Sequence, residues 1–328
     1  MSYVSSLFAK AAADKKRIVL SEGCDARVFQ AAILAQRQAL ASVILVGDKA
    51  QMSALLEQHK AKDLGLELHD PQNSELSPAL SAQYHDLRKH KGLSLEQAQQ
   101  ELKSSPYIFA ALMVAKGYAD GTVGGAIATT AQIVRTAIQI IGPKAEKSLI
   151  SSFFLMLRDD QEPLVFADCG LVIDPNAQQL SAIALQSAAS AHKLSGIQPR
   201  VAMLSFSSKG SAAHPHVDKV RSAMQLTQQA QPDLLIDGEL QFDAAFVPEV
   251  AKSKAANSPV AGQANVFIFP DLNSGNIAYK IAQRMGGYQA IGPVLQGLAK
   301  PANDLSRGCN VDDVLIMIAL TALMAQES

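Results

Sequence analysis

Short apolar runs alternate with longer amphipathic ones along this chain, and that alternation limits its fold more than any other feature. Arg17–Leu20 is β-like and stops at Ser21-Glu22-Gly23; Ala26–Leu40 then shows helical spacing. Ser42–Val46 reads as a second strand, closed by Gly47-Asp48, with a helix over Gln51–His59. A weaker strand follows at Leu64–His69, then helices at Pro78–Arg88, Ser94–Lys103 and Tyr107–Lys116. Ser94 with Gln97 three residues on predicts a capping box. Gly121–Ile127 is a strand ending in glycines, and Thr130–Ile141 a helix. Beyond Gly142-Pro143 the β-like runs are Leu149–Leu157, Leu164–Ala167, Val201–Ser205, Leu234–Ile236 and Asn265–Phe269. Helical patterns at Gln179–Lys193, Val217–Gln229, Asp243–Lys252 and Gly275–Met285 separate them. Gly292, Pro293, Gly297 and Pro301 punctuate the chain before a last helix over Val311–Ala325. Parallel neighbours need a long crossover between strands, usually a helix. The pattern therefore predicts an α/β protein with largely parallel sheets and helices on both faces.

Length and composition narrow the function. At roughly 100–200 residues per domain, 328 residues predict two domains. Gly142-Pro143, backed by the charged Lys144, Glu146 and Lys147, is the expected boundary. With 29 basic against 30 acidic residues the net charge is −1, so no basic face for nucleic acid is expected. Aromatics at 5% and no tryptophan leave little for base stacking. The longest apolar run, Val314–Met324, is short of the ~20 residues that span a bilayer. Met1–Lys16 lacks the apolar core of a signal peptide. Cys24, Cys169 and Cys309 show no CxxC spacing, which predicts free thiols and a cytoplasmic setting. His214 and His216 read as surface loop residues, since Pro215 and a missing third ligand argue against a metal.

The common catalytic fingerprints are missing. There is no GxxxxGK[ST] and no GxSxG, and Gly121-Thr122-Val123-Gly124-Gly125 has the wrong spacing for a dinucleotide turn. Polar loops of small residues do follow the strands, where parallel sheets bind ligands. The loop Ser205-Phe206-Ser207-Ser208-Lys209-Gly210-Ser211-Ala212 has the hydroxyls, lysine and glycine to wrap an anion through its backbone N–H groups. Its composition fits a solvated turn better still. The segment Asn303–Asp313 leads straight into the final helix. Its Ser306-Arg307 pair offers a neutral donor and a planar fork to an oxyanion or phosphate. Asp312 and Asp313 fall in the first helical turn, where capping and the macrodipole favour acids. If the segment were helical throughout, Asp313 would lie about two turns from Ser306, near enough to act as a general base. Among scattered arginines, Arg88 and Arg284 close helices, a common place for a basic residue. Arg135 interrupts an otherwise apolar helix and fits that default least.

Taken in order, several long motifs resemble one family. They are Leu20-Ser21-Glu22-Gly23-Cys24-Asp25-Ala26-Arg27-Val28, Leu87-Arg88-Lys89-His90-Lys91-Gly92, Phe166-Ala167-Asp168-Cys169, the Ser205–Ala212 loop and Ile236-Asp237-Gly238-Glu239-Leu240-Gln241-Phe242-Asp243. Ser258-Pro259-Val260-Ala261-Gly262, Phe269-Pro270-Asp271-Leu272-Asn273-Ser274-Gly275-Asn276 and Asp304-Leu305-Ser306-Arg307-Gly308 complete the set. Nearly the whole chain resembles the short-form phosphate acetyltransferases (phosphotransacetylases) of the phosphate acetyl/butyryltransferase family. Phe206-Ser207-Ser208 stands where relatives often have Tyr-Ser-Thr, which keeps the hydroxyl donors. The resemblance implies a fold similar to isocitrate and isopropylmalate dehydrogenases, two α/β domains with the active site in the cleft between them. It also implies that both termini belong to one domain, 1–147 with 301–328, and that 148–300 form the other.

The implied reaction is reversible: acetyl phosphate plus coenzyme A gives acetyl-CoA plus inorganic phosphate. CoA, acetyl-CoA, acetyl phosphate and phosphate are the implied partners, and a homodimer the implied assembly, with no nucleic acid and no membrane. No tightly bound cofactor is implied, CoA being a substrate, and stimulation by a monovalent cation stays open. Carried over residue by residue, Asp313 is the general base, Ser306 steadies the oxyanion or the thiol, and Arg307 holds the acyl phosphate. Arg88, Arg135, Arg284 and Lys254 match substrate-binding positions, and the Ser207, Ser208 and Lys209 loop joins them. Cys169 and Cys309 lie in motifs near the implied site, where thiol reagents would block access. A free thiol is only a few per cent thiolate at neutral pH, so a base helps. Phosphate leaves as a stable anion and needs arginine more than an acid or a metal. Neighbouring alternatives are a phosphate butyryl- or propionyltransferase, a non-catalytic acetyl-CoA sensor, and a decarboxylating dehydrogenase, which would need metal-binding aspartates that are not evident.

Overall fold

The computed structural model describes residues 3–146, 148–159 and 161–326, with every side chain among them except that of Ser195. Lys147, part of the expected boundary, lies outside them, as do the chain's first two and last two residues. The chain divides into two compact units. One comprises Tyr3–Ser148 with the chain from Leu298 onward, the other Leu149–Gly297.

The first unit begins with α1 (Tyr3–Ala13), β1 (Arg17–Leu20), α2 (Ala26–Arg37), β2 (Ser42–Val46), α3 (Lys49–Gln58) and β3 (Glu67–His69). It continues with α4 (Ser77–Arg88), α5 (Leu95–Ser104), α6 (Pro106–Lys116), β4 (Gly121–Gly124) and α7 (Thr130–Thr136). The β1 and β2 bounds agree with the sequence reading. Ser94 and Gln97 form the expected capping box, each side chain bonding the other's backbone N–H at 2.9 and 3.2 Å. The helix expected over Thr130–Ile141 changes character midway, passing into a π turn at Ala137–Ile141.

In the second unit come β5 (Ser151–Leu157), β6 (Leu164–Ala167), α8 (Ala177–Ser195), β7 (Arg200–Leu204), α9 (Pro215–Ala230) and β8 (Leu235–Leu240). Then follow α10 (Phe242–Phe246), α11 (Pro248–Lys254), β9 (Val266–Ile268), α12 (Leu272–Arg284) and β10 (Gln289–Gln296). A single helix was expected over Asp243–Lys252. Pro248 has no N–H to continue α10, so the helix breaks and restarts there. His214 caps α9 and His216 sits in its first turn, so the pair is an exposed helix start rather than a loop. The chain then returns to the first unit as β11 (Ala302–Asp304) and α13 (Val311–Ala325).

The first unit's sheet is parallel throughout, in the order β11-β4-β1-β2-β3. The second unit's order is β10-β5-β6-β9-β7-β8, parallel from β6 to β8 and antiparallel at β5 and β10. The architecture is thus α/β with largely parallel sheets, as the alternation predicts. Central strands such as β4, β6 and β9 are buried at every position, as strands covered on both faces must be. The apolar run read as too short for a bilayer forms most of α13, buried from Val314 to Leu323. Gln326 just beyond it donates to the carbonyls of Lys10, Ala11 and Asp14, satisfying the end of α1. In the second unit Phe154, Phe166, Phe267 and Phe269 make an aromatic core, with Tyr279 of α12 stacked on Phe154 at 3.9 Å. Among the described residues no helix is long and apolar enough to cross a membrane.

Candidate functional site

Ser306 and Arg307 belong to the turn between β11 and α13, and Asp313 to the first turn of α13. β11 runs beside β4 with Asp304 opposite Gly124, and the Leu305 N–H donates to the Gly124 carbonyl at 2.7 Å. Ser306 and Arg307 then emerge exposed. The Ser306 hydroxyl accepts from the Gly308 N–H at 3.2 Å, and its carbonyl accepts from the Cys309 N–H at 2.9 Å. Arg27, in the first turn of α2, pins the rest. Its Nη1 donates to the carbonyls of Arg307 (2.8 Å) and Cys309 (3.1 Å), and its Nη2 to that of Ala126 (2.9 Å). Asp25, the N-cap of α2, accepts from Nε and Nη2 of Arg27, and this pairing holds its carboxyl below the usual range. One guanidinium thus fixes the backbone on which Ser306 and Arg307 stand, using the fork geometry that lysine lacks.

Asp313 is the third residue of α13 and forms a reciprocal box with Asn310. The Asn310 N–H donates to Asp313 Oδ2 at 3.0 Å, and the Asp313 N–H to Asn310 Oδ1 at 2.9 Å. The segment from Ser306 to Asn310 is not helical, so the two-turn spacing does not apply; a tight turn separates the residues instead. Cys309 is buried in that turn. Burial pushes its thiol up, Arg27 pulls against the shift, and the nearby Asp313 and Asp25 add to it.

Facing the same turn in the first unit is the loop after β4. Glu22, in the turn after β1, accepts from the N–H groups of Ala126, Ile127 and Ala128 at 2.6, 3.0 and 2.7 Å. Thr129 then caps α7 in a box with Gln132. Arg135 lies on the exposed face of α7, and Arg88 is half-buried at the end of α4.

The second unit repeats the device. Around the Ser205–Ala212 loop, the anion that the backbone wraps is the protein's own Glu239. Its Oε1 accepts from the Ser207 hydroxyl (2.9 Å) and the Gly210 N–H (2.7 Å), and its Oε2 from Arg221 Nε (2.9 Å). Burial pushes the Glu239 carboxyl up, but Arg221, the backbone N–H groups and Ser207 outweigh it and bring it down to about 2. Ser207 and Ser208 are buried; the Ser208 hydroxyl accepts from the Gln241 N–H at 2.9 Å. Lys209 reaches Asp237 at 2.8 Å, and Lys254 reaches Asp243 at 2.8 Å and Gln241 at 3.0 Å. Arg284 is exposed at the end of α12. Phe206 instead faces outward, 58% exposed, onto a cavity of about 560 Å³ that Phe242, Phe269, Ile173 and Lys219 also line. Asp168 organises a third loop: its carboxylate accepts from Ser152 Oγ at 2.6 Å and from the N–H groups of Ser152, Gly170, Leu171 and Val172. Beside it Cys169 is fully buried, its thiol pushed well up by burial, so a thiol reagent would reach it only through local opening.

Glu22, Arg27, Asp168 and Glu239 received no role from sequence. The three acids share a signal, a carboxylate at or just past the end of an apolar strand with Gly or Cys beside it, whereas Arg27 in the first turn of α2 has none. Among the described residues no three His, Cys, Asp or Glu side chains gather as a metal site would.

Comparison with known proteins supports one family. A family model described as phosphate acetyl/butaryl transferase matches residues 2–322. A curated phosphate acetyltransferase of Thermoanaerobacterium thermosaccharolyticum is 46% identical over 334 aligned residues, covering 99% of this chain and 100% of the relative. A solved phosphotransacetylase from Streptococcus pyogenes superposes with a TM-score of 0.93 at 45% identity, covering 99% of this chain and 98% of that one. A branched-chain phosphotransacylase from Enterococcus faecalis shares the fold, with a TM-score of 0.68 at 16% identity over 94% of this chain and 99% of that one.

Proposed function

The chain belongs to the phosphate acetyl/butaryl transferase family, and on that premise we propose that it is an acyltransferase exchanging acetyl between phosphate and coenzyme A, with Asp313 as general base. The observation that carries the residue assignment is the turn itself. Its backbone is fixed by Arg27 and by the Asn310–Asp313 box, while Ser306 and Arg307 present their side chains to solvent. A rigid backbone with outward donors is what transition-state stabilisation needs.

Asp313 takes the proton from the CoA thiol, and the sulfur attacks the acetyl carbonyl. The C–S bond forms as the C–O bond to phosphate breaks, and phosphate leaves as an anion held by Arg307. Ser306 donates to the oxygen that gains charge. Arg88, Arg135, Arg284 and Lys254 bind the phosphates of CoA and of the acyl donor. Ser207 and Ser208 act through the loop they build around Glu239, and Lys209 adds charge beside it. CoA is a substrate, no resident cofactor is needed, and the working form is a cytoplasmic homodimer.

The test is thioester formation from acetyl phosphate and CoA by wild type and Asp313→Asn. Wild-type turnover is expected, with kcat reduced about 10²–10⁴-fold in the variant. Full turnover in the variant would remove Asp313 from the mechanism. Faster turnover with butyryl or propionyl phosphate would change the acyl assignment. CoA binding without any thioester from wild type would favour a sensor.

A further inference from the structure

The last residue of β11 is a buried acid with no well-formed hydrogen bond and no basic partner. Asp304 is 0% exposed, and neither carboxyl oxygen lies in hydrogen-bond geometry to a protein donor. An ionised carboxylate in that position carries a heavy desolvation cost and takes up a proton instead.

Its neighbours sharpen the problem. From the β4 side Gly125, with φ of 101°, comes so close that a Cβ there would fall 2.1 Å from Asp304 Oδ1. From the turn after β1, Glu22 brings a second carboxylate, locked by three backbone N–H groups. Thr130 of α7 and the Leu305 amide are the polar groups that ease the charge. α13 turns Thr321 and Met324 toward the adjacent Asn303. No basic side chain among the described residues hydrogen-bonds to Asp304. Burial, opposed by Thr130 and reinforced by Glu22, pushes the carboxyl up to about 7.

We propose that Asp304 is a positioning residue that carries a proton in the working enzyme, and that its ionisation loosens the Ser306–Arg307 turn. The link is short. Asp304 is wedged under Gly125, and the next residue, Leu305, ties the turn to the β4 loop through its 2.7 Å bond to Gly124. A charged Asp304 would repel Glu22 and admit water, and that parts Gly125 from Leu305. The loop would lose its fixed backbone while both strands stay paired. This proposal rests on reading the Ser306–Arg307 turn as the catalytic one.

Asp304→Asn keeps the shape and removes the titration. Thioester turnover and melting temperature are measured from about pH 5 to about pH 9 for wild type and variant. The wild type should lose kcat through neutral pH upward, and the variant should not, so the variant's ratio of alkaline to acidic kcat rises several-fold. For stability the sign is set by the raised value. The stabilising contribution of a carboxyl titrating at about 7 when folded and 3.8 when free is full below the lower value and lost as pH rises through the upper. The wild type's melting temperature should therefore fall relative to the variant's across that span. Identical curves for the two proteins would overturn the proposal. So would a changed melting curve with an unchanged kcat ratio, since the proton would then not govern the turn. If the variant does not fold, wild type labelled with ¹³C-aspartate serves: a protonated-carboxyl infrared stretch should be present near pH 6 and lost near pH 8.5, and its absence at pH 6 refutes the idea. A wild type that forms no thioester would defeat the catalytic reading, while the infrared and melting results would still decide the proton.

Discussion

Replacing Glu239 with glutamine would remove one charge from a side chain that is 1% exposed and leave Arg221 facing a neutral amide. Arg221 is half-exposed and can be solvated once its partner is neutral, so Glu239→Gln should lower the urea midpoint at neutral pH by less than breaking a fully buried pair would. The pH dependence follows from the lowered value. Glu239 titrates at about 2 when folded against a usual 4.5, so its stabilisation is complete above the higher value and is lost as pH falls toward the lower. The gap between wild type and variant should close across that window; a gap that stays constant on acidification would show that the ion pair is not its source. Glu239 also marks the limit of what sequence could say about the site. The hydroxyls and glycine of Ser205–Ala212 were legible as groups that wrap an anion. Nothing in their spacing said that the anion would come from β8, more than twenty residues on. Ser306, Arg307 and Asp313 were legible because they are local to one turn. Arg27 was not, because its partners Arg307 and Cys309 lie 280 and 282 residues away.

Removing the cap of α13 tests how far an element's end controls chemistry. Asn310→Ala deletes the side chain that receives the Asp313 N–H, which costs about 1 kcal/mol. In a chain of this size that corresponds to a drop in melting temperature of roughly 2–4 °C or less. The helix itself should survive, because its apolar residues are buried from Val314 to Leu323. Asp313 keeps its bond from the backbone N–H of residue 310 but stands on a frayed first turn, so kcat should fall severalfold while the KM for acetyl phosphate changes little. A variant with the melting loss but unchanged kcat would separate capping from catalysis. Elements were legible where periodicity was long or β-branched, as in β1, β2, β6 and α13, whose bounds match the sequence reading. β10 was missed because Gly292-Pro293 reads as a turn. In the structure the pair sits in a bulge of an edge strand, where proline's missing N–H faces no partner. β11 was missed because only three residues, Ala302-Asn303-Asp304, carry it, and two are polar yet fully buried. Asn303 earns its place through a bond to Thr321 at 2.9 Å, which no local pattern announces.

At the scale of the whole molecule, the homodimer proposed above needs a face, and α12 provides a candidate. Ile277 and Ile281 of α12 and its C-cap Met285 recur every four residues, so they align along one side of the helix. They are 58%, 52% and 84% exposed, among the largest exposed apolar side chains of the second unit. Covering such a side chain fully is worth about 1.5–3 kcal/mol, so a stripe of three would supply a substantial share of what a dimer formed there needs. A two-fold axis would bring the same stripe from both chains into contact, with residue and counterpart exchanged. A charge at the centre of that stripe would then be buried twice. Ile281→Glu should therefore shift the mass measured by light scattering from twice 34.8 kDa toward 34.8 kDa at micromolar concentration. The melting temperature of the separated chain should stay close to wild type when the latter is diluted below its own dissociation point, because Ile281 is already 52% exposed in the single chain. A variant that keeps the doubled mass would place the interface on another face. A wild type already at the single-chain mass would remove the dimer from the proposed function, while the Ser306–Asp313 turn, built from one unit of one chain, would stand unaffected.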